Sequence, residues 1–184
     1  MITHVIWDLG DTLNNRPPTG MDLKPLDAYS EIRLRPHAAQ VLGQVASMGL
    51  QQAVLSNTAV SDSDAAKRML EHLQIGNYFD FVYATQSELN HGRPEKPDPA
   101  AFHVVLDALS ILPDQAVMVG NTWESDILGA NRCGIHAIFL LNPIVSLRRD
   151  VTTPLRCPPW VIPVWDLAEV PSALEVLKGR VRKG

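Results

Sequence analysis

Cysteine is scarce in this chain of 184 residues, with only Cys133 and Cys157. They lie far apart and show no metal-ligand spacing, which argues against a disulfide framework and against a zinc site. Free thiols in a reducing cytosol are the expectation, and with them a cytoplasmic location. No apolar run is long enough to cross a bilayer. The start of the chain lacks the basic and apolar segments of a signal peptide, so no membrane partner is expected. An excess of positive charge is missing too: 16 Lys and Arg stand against 20 Asp and Glu, a net charge of −4. That balance offers no electrostatic footprint for nucleic acid. The one basic run, Lys178-Gly179-Arg180-Val181-Arg182-Lys183-Gly184, is short and reads as a solvated terminus. Repeats, low-complexity tracts and linkers are also lacking, so residues 1–184 read as one domain, large enough to hold a core.

What is present is a regular alternation. Ile2 to Trp7 is short, apolar and β-branched, and reads as a buried first strand. Leu13 to Leu34 is interrupted by Pro17, Pro18, Gly20 and Pro25, and is predicted to be a functional loop. Pro36 suits the first position of a helix whose stripe is Ala39, Val41, Leu42, Val45 and Met48, ended by Gly49. Gln52 to Leu55 reads as a second strand. Ser61 or Asp62 caps a helix facing inward through Ala66, Met69, Leu70 and Leu73. Phe79 to Tyr83 is a third strand, and Asp98 caps a helix over Pro99 to Leu109. Ala116 to Val119 is a fourth strand, Glu124 to Arg132 a helix, and His136 to Leu141 a fifth strand. Trp160 to Val164 is a sixth, placed at an edge by Pro163. Asp166 to Leu177 closes the chain as a helix. Apolar strands alternating with helices predict a doubly wound three-layer α/β/α, Rossmann-like fold with a parallel central sheet.

In such a sheet ligands bind beyond the carboxyl ends of the strands. The polar residues fall there: Asp8 to Thr12 after the first strand, Ser56-Asn57 after the second, Asn121 to Asp126 after the fourth. Lys96 precedes the helix that leads into the fourth strand. Singly, Ser56-Asn57 is an ordinary turn, and Lys96 and Asp126 are ordinary surface charges. An acid such as Asp8 at the tip of a buried strand is different, because it must find a cation or hydrogen-bond donors. A carboxylate paired with a distant lysine suggests covalent phosphoryl transfer, the carboxylate attacking and the ammonium balancing charge. The histidines show no shared spacing that suggests zinc. His91, in a loop near Lys96, is the one worth following.

The order of these segments resembles the haloacid dehalogenase superfamily of phosphatases and related hydrolases. Asp8-Leu9-Gly10-Asp11-Thr12-Leu13 matches in part its first motif, Asp-x-Asp-x-Thr. Ser56 matches its second, Lys96-Pro97-Asp98-Pro99 its third, and Gly120-Asn121 with Asp126 part of its fourth. The resemblance covers about residues 1–141. It implies that Asp8 is the nucleophile of a phosphatase working through an aspartyl-phosphate. Mg²⁺ would be held by Asp8, the Gly10 carbonyl and Asn121, with Asp126 either holding metal-bound water or orienting Lys96. The Ser56 hydroxyl and the Asn57 backbone N–H would bind phosphoryl oxygens, with Thr12 beside them, and Lys96 would offset their charge. The substrate implied is a small phosphorylated metabolite.

Two departures from the family pattern bear on activity. Gly10 replaces the family's acid and base, and an acid appears one place later at Asp11. Asp11 either takes over that role or merely stabilises the turn. Without an acid the site favours good leaving groups such as acyl, aryl or anomeric phosphates. Asn121 replaces a metal-binding aspartate and removes one negative charge. The chain also has no room for a full cap, so the resemblance is to capless, class III-like members. The site should be open, shielded by the Leu13 to Leu34 loop and by Ser87 to Glu95, or by a neighbour in a homo-oligomer. Arg16, Arg33 and Arg93 are candidate substrate contacts. A dehalogenase-like hydrolase and a weakly active or inactive phosphoryl-binding module are the alternatives.

Overall fold

Each buried strand must cover two faces, and the alternation of its side chains decides which helices it meets. The computed structural model describes residues 1–17, 23–141 and 159–181. Pro18 and Gly20 of the long loop, Cys157 and the last residues of the basic run lie outside the described residues. Six strands form one sheet: β1 (His4–Trp7), β2 (Gln51–Ser56), β3 (Phe81–Ala84), β4 (Ala116–Gly120), β5 (His136–Leu140) and β6 (Val161–Val164). Their order is β3-β2-β1-β4-β5-β6, and every pairing is parallel.

Helices cover both sides. On one face α1 (Ala38–Ser47), α2 (Ser63–His72) and α5 (Val170–Val181) pack on Val5, Trp7, Val54, Val117, Val119 and Ile138. On the other, α3 (Pro99–Leu109) and the short α4 (Gly129–Arg132) pack on Ile6, Ala53, Leu55 and Met118. Neighbours in sequence, such as Val5 and Ile6, thus serve opposite cores. Trp7 is fully buried, and its indole N–H donates to Gln52 Oε1 at 3.0 Å, so its one polar atom is satisfied.

Several boundaries differ from the sequence reading. Helix α1 begins at Ala38 rather than Pro36, because His37 takes a left-handed φ of 65° and the Ala38 N–H donates back to the Arg35 carbonyl. Asp62, not Ser61, caps α2 by accepting from the Ala65 N–H, and the Ser61 hydroxyl instead accepts from the Leu26 N–H. Strand β3 starts at Phe81, since a 3₁₀ turn over Gly76–Tyr78 uses the preceding residues. Trp123–Leu128 is wound as a π-helix before α4. Asp166 caps a 3₁₀ turn over Leu167–Glu169 that leads into α5. Pro163 lies in β6, which pairs only with β5 and so forms the edge as expected. Tyr29 and Ile32 anchor the long loop into the core. Among the described residues no helical cap domain is inserted.

Candidate active site

The sheet order reverses between β1 and β4, which leaves a crevice at their carboxyl ends. Asp8 opens there, its N–H donating to the Val119 carbonyl at 2.9 Å. The chain then folds tightly, with the N–H groups of Thr12, Leu13 and Asn14 all donating to the Leu9 carbonyl. That turn brings the Thr12 hydroxyl back to donate to Asp8 Oδ2 at 3.1 Å. From the end of β2, the Ser56 hydroxyl donates to Asp8 Oδ1 at 3.2 Å.

Lys96 reaches the same carboxylate from the loop before α3. The Asn57 side chain clamps its backbone: Nδ2 donates to the Lys96 carbonyl at 2.7 Å and Oδ1 accepts its N–H at 2.9 Å. The ammonium donates to Asp8 Oδ1 at 2.9 Å, to Asp126 Oδ1 at 2.7 Å and to the Leu55 carbonyl at 2.8 Å. All three of its protons are therefore used. The π-helical turn presents Asp126, whose Oδ2 accepts the Thr122 N–H at 2.8 Å and whose Oδ1 also accepts from Ser125. Such wide turns recur at functional sites. Gly120 makes the approach possible, since a Cβ there would lie 2.5 Å from Asp126 Cγ and 2.6 Å from its Cβ.

Lys96 and Asp126 are only 3% and 1% exposed. Burial pulls the Lys96 pKa down, but the Asp126 and Asp8 carboxylates outweigh it and raise it above the usual lysine value. The ammonium therefore stays charged at neutral pH. Burial pushes the Asp126 carboxyl up, against the pull of Lys96, and the charge of Asp8 adds to the rise. Two carboxylates share one ammonium, so the cluster has room for further positive charge.

The oxygens around Asp8 suit a hard cation. Among the described residues no three His, Cys, Asp or Glu side chains converge as a metal cage. The donors here are of another kind, namely one carboxylate, a backbone carbonyl and an amide oxygen. Asn121 Oδ1 faces the Thr12 and Thr122 hydroxyls at 3.5 and 3.4 Å, so Thr12 links it to Asp8. Asn121 Nδ2 is buried with no partner among the described residues. The bonds flanking Gly10, from Asn14 N–H to Leu9 and from Asp11 N–H to Asn14, do not engage the Gly10 carbonyl. Mg²⁺ accepts such a set, because it takes one or two carboxylates and keeps several waters.

A cavity of about 640 Å³ opens over the cluster. Its wall includes Asp8, Gly10, Ser56, Asn57, Lys96 and Asp126, which the sequence reading grouped together. Loop residues Arg16, Leu23, Lys24 and Tyr29 shield it, and none of residues 87–95 takes part. Thr12 is fully buried and orients Asp8 without reaching the wall. Asp126 engages Lys96, the second of the two roles weighed for it. Asp11 is turned aside at a φ of 59°, its Oδ2 accepting from Arg16 Nε at 2.7 Å. Of the candidate arginines only Arg16 lines the cavity. Arg33 donates to the Ser30 and Ile32 carbonyls, and Arg93 lies over the Tyr83 ring. His91 and Arg93 line a separate cavity beside Asp98. The sequence reading missed the space left by Gly120, and missed Asn14, a buried wall residue whose Oδ1 has no partner among the described residues. Gly120 stands in the sequence only as part of the fourth motif, and the space it leaves shows only once the following turn is wound; Asn14 carries no local signal.

A doubly wound sheet with a carboxylate, a hydroxyl, a lysine and a second carboxylate at its switch point defines a class of hydrolase-type site. The haloacid dehalogenase-like hydrolase family matches residues 22–140, and the chain belongs to that family. A solved structure of an uncharacterized protein from Listeria monocytogenes serotype 4b is 56% identical, with a TM-score of 0.88 over 97% of this chain and 99% of that one. Glyceraldehyde 3-phosphate phosphatase of Methanothermobacter thermautotrophicus is 31% identical over 66% of this chain and 51% of that protein. Phosphoserine phosphatase of Thermus thermophilus is 30% identical over 58% of this chain and 40% of that protein. The chain thus spans about half, or less, of the length of these curated relatives. No helix of the described residues is long and apolar enough to cross a membrane.

Proposed function

We propose that this chain is a Mg²⁺-dependent phosphatase that hydrolyses a small phosphorylated metabolite through an aspartyl-phosphate on Asp8. The observation that carries the reading is the Lys96 ammonium, bonded at once to Asp8 and Asp126 beneath an open cavity. A buried lysine–carboxylate cluster costs desolvation, which a purely structural role repays poorly. The family match and the phosphatase names of the relatives support the same reading.

In this reading an Asp8 carboxylate oxygen attacks phosphorus and the bond to the leaving oxygen breaks. The Ser56 hydroxyl and the Asn57 backbone N–H hold phosphoryl oxygens while charge spreads over them, and the Lys96 ammonium offsets that charge. Asp126 and the Asn57 side chain keep Lys96 in place. Asp8, the Gly10 carbonyl and Asn121 would hold Mg²⁺, which when bound neutralises phosphoryl charge. Water then attacks the aspartyl-phosphate, releasing inorganic phosphate and restoring Asp8. Gly10 and Asn121 favour a second reading, a phosphoryl-binding module with little turnover.

Phosphate release from a panel of esters and acyl phosphates, with and without Mg²⁺, separates the two. The expected result is metal-dependent release that Asp8→Asn abolishes. Binding of phosphate without release from any compound would favour the module. Release that survives Asp8→Asn would refute the assigned nucleophile.

A further inference from the structure

Among the described residues, Asp8 and Asp126 are the only Asp, Glu or His side chains on the cavity wall. Both are bonded to Lys96, so neither is a free proton donor. The other charged groups on the wall are Arg16 and Lys24, both cations. Arg16 occupies a telling place. A Cβ on Gly10 would lie 3.4 Å from Arg16 Cγ and 3.9 Å from its Nε. The space beside the second residue after Asp8 is thus filled by a guanidinium stem. Asp11 holds that side chain through Nε at 2.7 Å, and Arg35 fixes Asp11 in turn by donating to its carbonyl at 2.7 Å. The Arg16 Nη atoms make no hydrogen bond with any described residue. An exposed ion pair of this kind adds little stability, but it sets the direction of the planar fork.

We propose that Arg16, held over Gly10 by Asp11, contacts the leaving group, and that the substrates are acyl phosphates. The proposal rests on the phosphatase reading above. Arginine does not release a proton at physiological pH, yet it pairs bidentately with carboxylates. A leaving group that departs as a carboxylate needs charge stabilisation and no proton. Asp8 forms the new O–P bond, the bond from phosphorus to the acyl oxygen breaks, and the electron pair leaves on the carboxylate facing Arg16. Water then cleaves the aspartyl-phosphate, and its proton passes to phosphate and solvent. An alkyl phosphate would have to expel an alkoxide, and among the described residues of the wall no carboxylic acid or imidazole is free to protonate it.

The test uses the full chain with Mg²⁺. Acetyl phosphate consumption is read as the hydroxamate, and glycerol 1-phosphate hydrolysis as inorganic phosphate. Wild type should prefer acetyl phosphate in kcat/KM by about 10²-fold or more, the scale of a missing general acid. Arg16→Ala should shrink that preference about 10-fold or more, the scale of one hydrogen bond to a charged group. Asp11→Asn, acting only through Arg16, should shrink it by less. Equal losses on both substrates in Arg16→Ala, or a wild type that hydrolyses glycerol 1-phosphate as readily, overturn the proposal and leave the phosphatase reading standing. No turnover of any phosphate compound by wild type defeats that reading, and this proposal with it.

Discussion

Replacing Lys96 by Met removes an ammonium buried between two carboxylates while keeping much of the side-chain volume. Lys96 donates to Asp8, Asp126 and the Leu55 carbonyl, so its loss strands a carboxylate pair and a carbonyl. Removing one partner of a buried ion pair typically costs about 3–5 kcal/mol. For a chain of 184 residues, each kcal/mol lowers Tm by roughly 2–4 °C, so a fall of roughly 6–20 °C is expected. In wild type the raised Lys96 pKa gives a contribution fully present below the ordinary lysine value of 10.5. It is lost only as pH climbs through the higher folded value. Asp126 in the variant behaves oppositely. Burial already pushes its pKa up, and without Lys96 the Thr122 N–H is left as the weaker pull against it. The folded variant binds a proton more readily than the unfolded chain, so its deficit shrinks as pH falls. Thermal and urea melts followed by circular dichroism at pH 8 and pH 5.5 read both effects. Lys96→Met/Asp126→Asn should be more stable than Lys96→Met, because one stranded charge is gone. A Lys96→Met protein within about 1 kcal/mol of wild type at pH 8, with no gain in the double variant, would refute the buried triad.

Other perturbations reach different parts of the site and fold. Gly120→Ala places a Cβ against Asp126; overpacking of this sort costs about 1–3 kcal/mol, and kcat for the proposed phosphate release should fall with it. Asn121→Asp adds a charged oxygen beside Asp8; the Mg²⁺ concentration for half-maximal activity should drop about 10–100-fold, the scale of changes around metal ligands. An unchanged metal requirement would argue against Asn121 as a ligand. His136 is buried, its Nδ1 accepts the Trp160 N–H at 3.0 Å, and burial lowers its pKa below 6.5. The unfolded chain then binds the proton first, so stability should fall as pH drops below 6.5. His136→Gln should flatten that slope in urea melts between pH 7.5 and pH 5.5, and an unaltered slope would place the titration elsewhere.

The parallel layered fold was legible because its cause is local. Apolar runs such as Ala116 to Gly120 bury on both faces, and helices between them follow from capping residues such as Asp62 and Asp98. The convergence of Asp8, Ser56, Lys96 and Asp126 was legible through strand order, since parallel strands present their ends on one rim. What the chain order does not carry is where side chains point once several segments meet. Asp11 turns to Arg16 because its left-handed φ redirects it. Asn57 grips the Lys96 backbone across 39 positions, and Gly120 clears the way for a carboxylate in the next turn. The side-chain period of strands and helices is written residue by residue, so sequence specifies the layers and the rim. Hydrogen-bond directions among distant segments depend on packing of the whole sheet, so only the folded chain assigns each polar group its partner.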